Sequence, residues 1–308
     1  MEEKGWKPMD LKILAGIVII IAVGIFAIVN EQNKEIQKEL SELGLALEQA
    51  EFKLEEIKKI PEIHVYPERQ DMLFHQYAFY EQFQYDSEGI ASPDILNFVL
   101  KKELKDTYKE IGLFEDSQKT VVIVPLFTAN AYKEPGFYNY YDKTCDEKCL
   151  TVTIEDRTSG FTSSDNAVKI LRLLQYETIT DTDVDKDPKI LEEYDKVIVL
   201  HNEYVTKNEF EAITNHSKVI YLFPNALYAE VESDYEKNTI TLIKGHNYPD
   251  EDIRNGFGWE HDNSPMEYDK DCKDWEFYEI NNGWMLNCYP ENSLLPIDEE
   301  FLKKLKDF

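Results

Sequence analysis

The sequence predicts an α/β protein: a parallel sheet with helices on both faces, preceded by one transmembrane helix and a coiled-coil stalk. Three observations carry that expectation. Short apolar, β-branched runs at 121–127, 197–200 and 219–223 alternate with helical patterns, as buried parallel strands joined by crossovers do. Residues 13–29 are seventeen uncharged, almost wholly apolar positions. From Ile36 to Ile57, apolar residues recur at alternating spacings of four and three. The expected organisation is a tail and membrane helix over 1–30, a stalk over 31–60, an aromatic linker and helix over 61–119, and the α/β domain over 120–308.

At 1.5 Å per residue the run 13–29 spans roughly 26 Å as a helix, near the hydrocarbon thickness of a bilayer. It is long for a signal peptide, and its small-residue pattern Ala22-Val23-Gly24 is followed by more apolar sequence, so an uncleaved anchor is expected. Lys4, Lys7 and Lys12 before the span, against Lys34 and Lys38 after it, put the N-terminus inside and the large domain outside the cytoplasm. Leu40, Leu47 and Leu54 at heptad position a, with Ile36, Leu43, Ala50 and Ile57 at d, predict a homo-oligomer through residues 33–57. Pro61 ends that helix.

Phe74, Tyr77, Phe79, Tyr80, Phe83 and Tyr85 crowd the next stretch, where packing against the main domain is expected. Ser92-Pro93 reads as a helix start, and Ile95, Leu96, Val99, Leu100, Leu104, Tyr108 and Ile111 fall at helical spacing up to Gly112. The apolar run 121–127 predicts the first buried strand and 150–154 a second. A helix follows from Ser163 or Ser164, with Val168, Leu171 and Leu174, then a short strand over 177–180 and a helical turn over 188–194. Beyond Asn225 the alternation stops: 231–243 reads as a hairpin around Asn238, and 245–292 as long ordered loops.

The composition is 43% hydrophobic and 13% aromatic, enough for a real core. Sixty-one acidic against thirty-three basic residues give a formal charge of -28, which repels phosphate backbones and excludes nucleic acid as a partner. Four cysteines, Cys145, Cys149, Cys272 and Cys288, allow three pairings, of which the sequence-local one is simplest; the rival, zinc ligation, lacks a matching second knuckle. Disulfides agree with an extracytoplasmic domain. Asp181, Asp183, Asp185, Asp187 and Glu192 have the look of a calcium loop, but Lys186 stands where that loop needs glycine, and carboxylates capping a helix explain the same residues.

The strand 197–200 runs directly into His201-Asn202-Glu203-Tyr204. The carboxyl ends of strands are where open α/β sheets keep their ligands, and an imidazole two residues from a carboxylate suits proton transfer beside a metal ligand or base. The alternative is that His201 and Glu203 only satisfy backbone groups, with Thr206 as a helix cap. The loop Gly256 to Asp262, with Glu260 and His261, is a second polar cluster, expected to be anchored by Trp259.

The strand-His-x-Glu-Tyr junction and the following Val-Ile-Tyr-Leu-Phe-Pro-Asn-Ala strand resemble the C-terminal domain of the large subunit of N,N-dimethylformamidase, over roughly residues 120–292. The resemblance implies a flavodoxin-like, class I glutamine amidotransferase-like fold, and a catalytic His201. It also implies iron as cofactor, held by Glu203 with two tyrosines, for which Tyr138, Tyr140 and Tyr141 are candidates. Glutamine amidotransferases themselves need a cysteine in a glycine-rich elbow, and this junction has neither. The expected function is a membrane-anchored, metal-dependent hydrolase of amide or other C–N bonds. The alternative is a non-catalytic cell-surface binding or envelope protein that keeps the fold.

Overall fold

Five strands line up in parallel, and the three central ones are short, largely apolar runs that bury both of their faces. In the computed structural model the five are β3 (Thr120–Val124), β5 (Glu177–Thr180), β6 (Lys196–Val199), β8 (Val219–Tyr221) and β12 (Gly283–Leu286). With β11 (Phe277–Ile280) antiparallel at one edge, the sheet runs β11-β12-β8-β6-β3-β5. Numbered in chain order, the parallel strands lie 2-1-3-4-5, so chain direction across the sheet reverses between β3 and β6. The structure describes residues 78–85, 91–101, 104–156, 164–262, 264–266, 275–286, 288 and 298–308. All of these belong to one compact unit, Asp71–Phe308.

Alternate residues of each strand feed opposite cores, as a period of two requires. Val122, Val124, Ile198 and Ile220 face α1 (Lys105–Ile111), α4 (Asp165–Leu173) and α7 (Glu299–Asp307). Val121, Ile123, Val197, Val199 and Val219 face α5 (Asp181–Lys186) and α6 (Lys207–Asn215). A second sheet, β4-β10-β9-β7, is built from β4 (Thr151–Thr153), β7 (Tyr204–Thr206), β9 (Ala229–Asp234) and β10 (Thr239–Lys244). It closes a third core with α2 (Leu126–Ala131) and α3 (Phe137–Tyr141). The hairpin of β9 and β10 turns through Asn238 at φ 56°, a conformation asparagine tolerates.

Three expectations are corrected. The helix read from Ser92 starts only at Lys105: Ala91–Leu100 is β2, paired antiparallel with β1 (Phe79–Tyr85). Cross-strand pairing overrides the helical spacing there, and Pro93 falls where the register shifts between Phe83 and Tyr85, a place a residue without an N–H can occupy. The run 121–127 is a strand only to Val124; Pro125 ends it, and Leu126 and Phe127 open α2. The strand near 150–154 belongs to the second sheet instead of the parallel one. The calcium-like segment is α5, with Thr180 and Asp183 forming a capping box.

Cys145 and Cys149 form a disulfide with Cα atoms 6.1 Å apart. Cys288 is also disulfide-bonded, and its expected partner Cys272 lies outside the described residues. The proposed membrane helix at 13–29 and the stalk at 33–57 lie outside them too. Among the described residues no helix is long and apolar enough to cross a membrane.

Lys196 is fully buried, and its Nζ donates to the Leu305 and Lys306 carbonyls at 3.0 Å each. It thus closes the C-terminal end of α7, where free carbonyls and the helix dipole favour a cation. Lys196→Met keeps most of the stem and removes both bonds. The expected loss is about 1–3 kcal/mol in urea unfolding, and an unchanged midpoint would contradict this cap.

Candidate functional site

The reversal between β3 and β6 is the point at which open α/β sheets keep a ligand crevice, and the chain leaves β6 there into polar residues. After β6, the turn His201-Asn202-Glu203 is wholly buried. Three bonds shape it. Asn202 Oδ1 accepts from the Leu200 amide at 3.0 Å, Ser164 Oγ accepts from the His201 amide at 3.3 Å, and Thr128 Oγ1 accepts from the Tyr204 amide at 3.1 Å. The Glu203 carbonyl then receives the amides of Tyr228 and Ala229. Thr206 is the N-cap of α6, accepting from the Glu209 amide.

Glu203 is the centre of the cluster, with 0% of its surface exposed. The Tyr132 hydroxyl donates to Oε2 at 2.7 Å, and Tyr138 in turn donates to the Tyr132 oxygen at 2.7 Å. His201 Nε2 stands 3.5 Å from Oε2, and His246 Nε2 stands 2.5 Å from Oε1. Burial alone pushes the Glu203 carboxyl up, but the His246 charge and the hydrogen bonds of both histidines outweigh it and hold the group down to about 2. Burial, then the Glu203 charge, push the Tyr132 and Tyr204 phenols far above their ordinary value, so both are neutral donors beside an ionised carboxylate.

Aromatic rings fix each imidazole. His201 lies over Phe223, with centroids 5.2 Å apart, and Asn225 Nδ2 is 3.3 Å from its Nε2. His246 is stacked between Tyr204 at 5.4 Å and Tyr141 at 5.0 Å, with Tyr228 edge-on at 4.7 Å. It reaches the site from a tight turn, bridged between Gly245 and Tyr248, in which His246 and Asn247 have φ of 53° and 62°. A non-glycine residue held in the left-handed region costs energy and marks a position the surroundings over-determine. Gly136, between the two site tyrosines, is needed for space: a Cβ there would collide with the Lys133 carbonyl.

The sequence expectations meet this geometry unevenly. His201 and Glu203 are brought together. Tyr138 stands one hydroxyl away from Glu203, and Tyr141 shares a 3.3 Å contact with the Tyr204 hydroxyl while covering His246. Tyr140 instead packs on Tyr141 and Tyr248. Sequence reasoning missed Tyr132 and His246 altogether. The loop after Gly256 is anchored by Trp259 against Tyr221 and Phe210, and Glu260 and His261 face each other at 3.6 Å.

Two phenol oxygens, a carboxylate and two imidazoles gather here, an oxygen-rich set with two nitrogens whose donor types iron accepts. Among the described residues no three His, Cys, Asp or Glu side chains are arranged to hold a metal, so a metal here would depend on the tyrosines. No protein-family model matches this chain, and no curated protein is detectably similar to it.

Proposed function

We propose that this chain is a metal-dependent hydrolase of amide or other C–N bonds, with the site at Glu203. The observation that carries the reading is the convergence of the Tyr132 hydroxyl and His201 on the buried Glu203 carboxylate at the sheet's reversal point, with the Tyr138 hydroxyl bonded to that of Tyr132. Glu203, Tyr132 and Tyr138 would hold the metal, matching the carboxylate and two tyrosines implied by the resemblance to the dimethylformamidase domain. The strand order 2-1-3-4-5, which is also that of flavodoxin-like sheets, supports the fold side of that likeness. When bound, the metal would polarise a carbonyl and acidify water.

The chain's own residues supply the rest. His201 takes or gives a proton at Nε2, held in plane by Phe223. His246 orients the carboxylate through Oε1, the part played by groups behind a ligand in metal sites. The phenols of Tyr141 and Tyr204 wall the cluster from water. We place the domain outside the cytoplasm on its membrane anchor and stalk, a location that the Cys145–Cys149 disulfide supports.

One observation favours a second reading, a non-catalytic binding or envelope protein. Both Glu203 oxygens are already satisfied by side chains, as in a self-contained buried network. The detergent-solubilised full chain separates the two. The hydrolase reading expects about one iron or zinc per chain and release of amine from small formamides. Absence of metal after purification and refusal of both ions on addition would leave the binding role.

A further inference from the structure

Behind the His201-Asn202-Glu203 turn lie two carboxyl groups that the proposed chemistry does not use. Asp181 opens α5 and Glu209 lies in the first turn of α6, and neither has any exposed surface. Asp181 is well supplied with donors: Oδ1 accepts from Asn202 Nδ2 at 2.6 Å, and Oδ2 accepts from the Phe127 amide at 2.5 Å. Glu209 has no donor on either oxygen, and the charged group that acts on it most is the Asp181 carboxyl of the contacting helix α5. Two carboxyl groups in such contact, away from water, cannot both be ionised without a large penalty, and one proton between them removes it.

We propose that Asp181 and Glu209 share a proton, and that this proton holds the His201-Asn202-Glu203 turn in place through Asn202, making the site sensitive to pH. The linkage is direct. The same Asn202 side chain that donates to Asp181 accepts from the Leu200 amide, so it ties the carboxyl pair to the backbone that aims His201 to one side and Glu203 to the other. Asp181 also receives the Phe127 amide at the start of α2, the helix that leads to Tyr132. Losing the proton would put two repelling charges under both halves of the cluster.

Among the described residues no cation is paired with either carboxyl. α5 brings Asp185 one turn further on, engaged by Thr206, Asn208, Ser233 and Tyr235. α2 contributes the Phe127 amide, and Lys186 lies over the Tyr235 ring. Burial is the main cause that raises both groups: Asp181 goes up to about 7 although its bonds to the Phe127 amide, Glu209 and Asn202 oppose the rise, and Glu209 goes well above the ordinary carboxyl range, with the Asp181 and Asp185 charges adding to it. The sign follows. The folded chain keeps protons that the unfolded chain releases from about pH 4 upward, so stability falls as pH rises from there through the pair's range. Because the net charge acts in the same direction, the comparison has to be made against a variant. Glu209→Gln supplies a permanent amide donor to Asp181 in place of the shared proton.

As a device for holding the turn, the pair is independent of the metal site; as a regulator of catalysis, it rests on the metal-site reading. The test uses the metal-free full chain. Infrared spectra between pH 6 and 9 should show a protonated carboxyl where ordinary carboxylates are already ionised, and Glu209→Gln should remove it. Amide exchange in peptides covering residues 200–204 should accelerate about tenfold beyond the intrinsic pH effect as that proton is lost, and should stay flat in Glu209→Gln. Absence of the infrared signal in the unmutated chain overturns the proposal even if the variant does not fold. A signal whose loss leaves exchange at 200–204 unchanged overturns it as well. Iron retention is read separately: if exchange follows the proton while no iron binds at any pH, the hydrolase reading falls and the proton-held turn stands.

Discussion

Glu203→Ala is expected to destabilise the protein by about 3–5 kcal/mol, enough to unfold much of the chain at moderate temperature. The carboxylate is the common partner of Tyr132, His201 and His246, and its removal leaves all three facing a buried void. Glu203→Gln separates charge from shape. It keeps the volume and one oxygen but loses the charge that both histidines face, and metal retention should fall by about 10- to 100-fold while much of the fold survives. The same carboxylate sets the acid limit of stability. Since its folded value is near 2 against 4.5, its contribution is complete above about pH 4.5 and is lost as pH falls toward 2, on the order of 3 kcal/mol. Acid unfolding followed by circular dichroism should therefore shift to higher pH in Glu203→Gln, and coincident acid transitions would contradict the assignment.

His201→Ala should fail in another way. The imidazole is 3.5 Å from the carboxylate and reaches it from the Phe223 side, so its loss leaves Tyr132, Tyr138 and His246 in contact with the cluster. Turnover of a responsive amide should drop by about 100-fold or more, the usual scale of general acid–base assistance, while most of the metal stays bound. A variant that loses metal in proportion to activity would make His201 a ligand and remove the proton-transfer role.

What the sequence made legible follows from the range of the interactions involved. β3, β6 and β8 were visible because a strand buried on both faces must be apolar at every position, and the His-x-Glu turn was visible because it breaks that run abruptly. The β9–β10 turn was visible through Asn238. β2 was not, since Ile95, Leu96, Val99 and Leu100 fit a helix equally well and only pairing with β1 decides between them. Tyr132 was hidden because α2 follows β3 after a single proline, so strand and helix read as one apolar run. His246 was hidden for a different reason. It meets Glu203 across 43 residues of chain, by way of a turn whose left-handed backbone no glycine announces at that position. Tertiary contact alone gathers this site, and spacing cannot report it.

In the proposed site, Tyr132 and Tyr138 would become ligands beside Glu203. Ferric iron added to the full chain tests it most directly, because phenolate oxygen bound to iron absorbs in the visible through charge transfer, whereas carboxylate and imidazole alone do not. The expected result is a visible band that saturates at about one iron per chain, weakens in Tyr132→Phe and disappears in the double variant with Tyr138→Phe. Stoichiometric iron binding without colour, or a band indifferent to both substitutions, would contradict it.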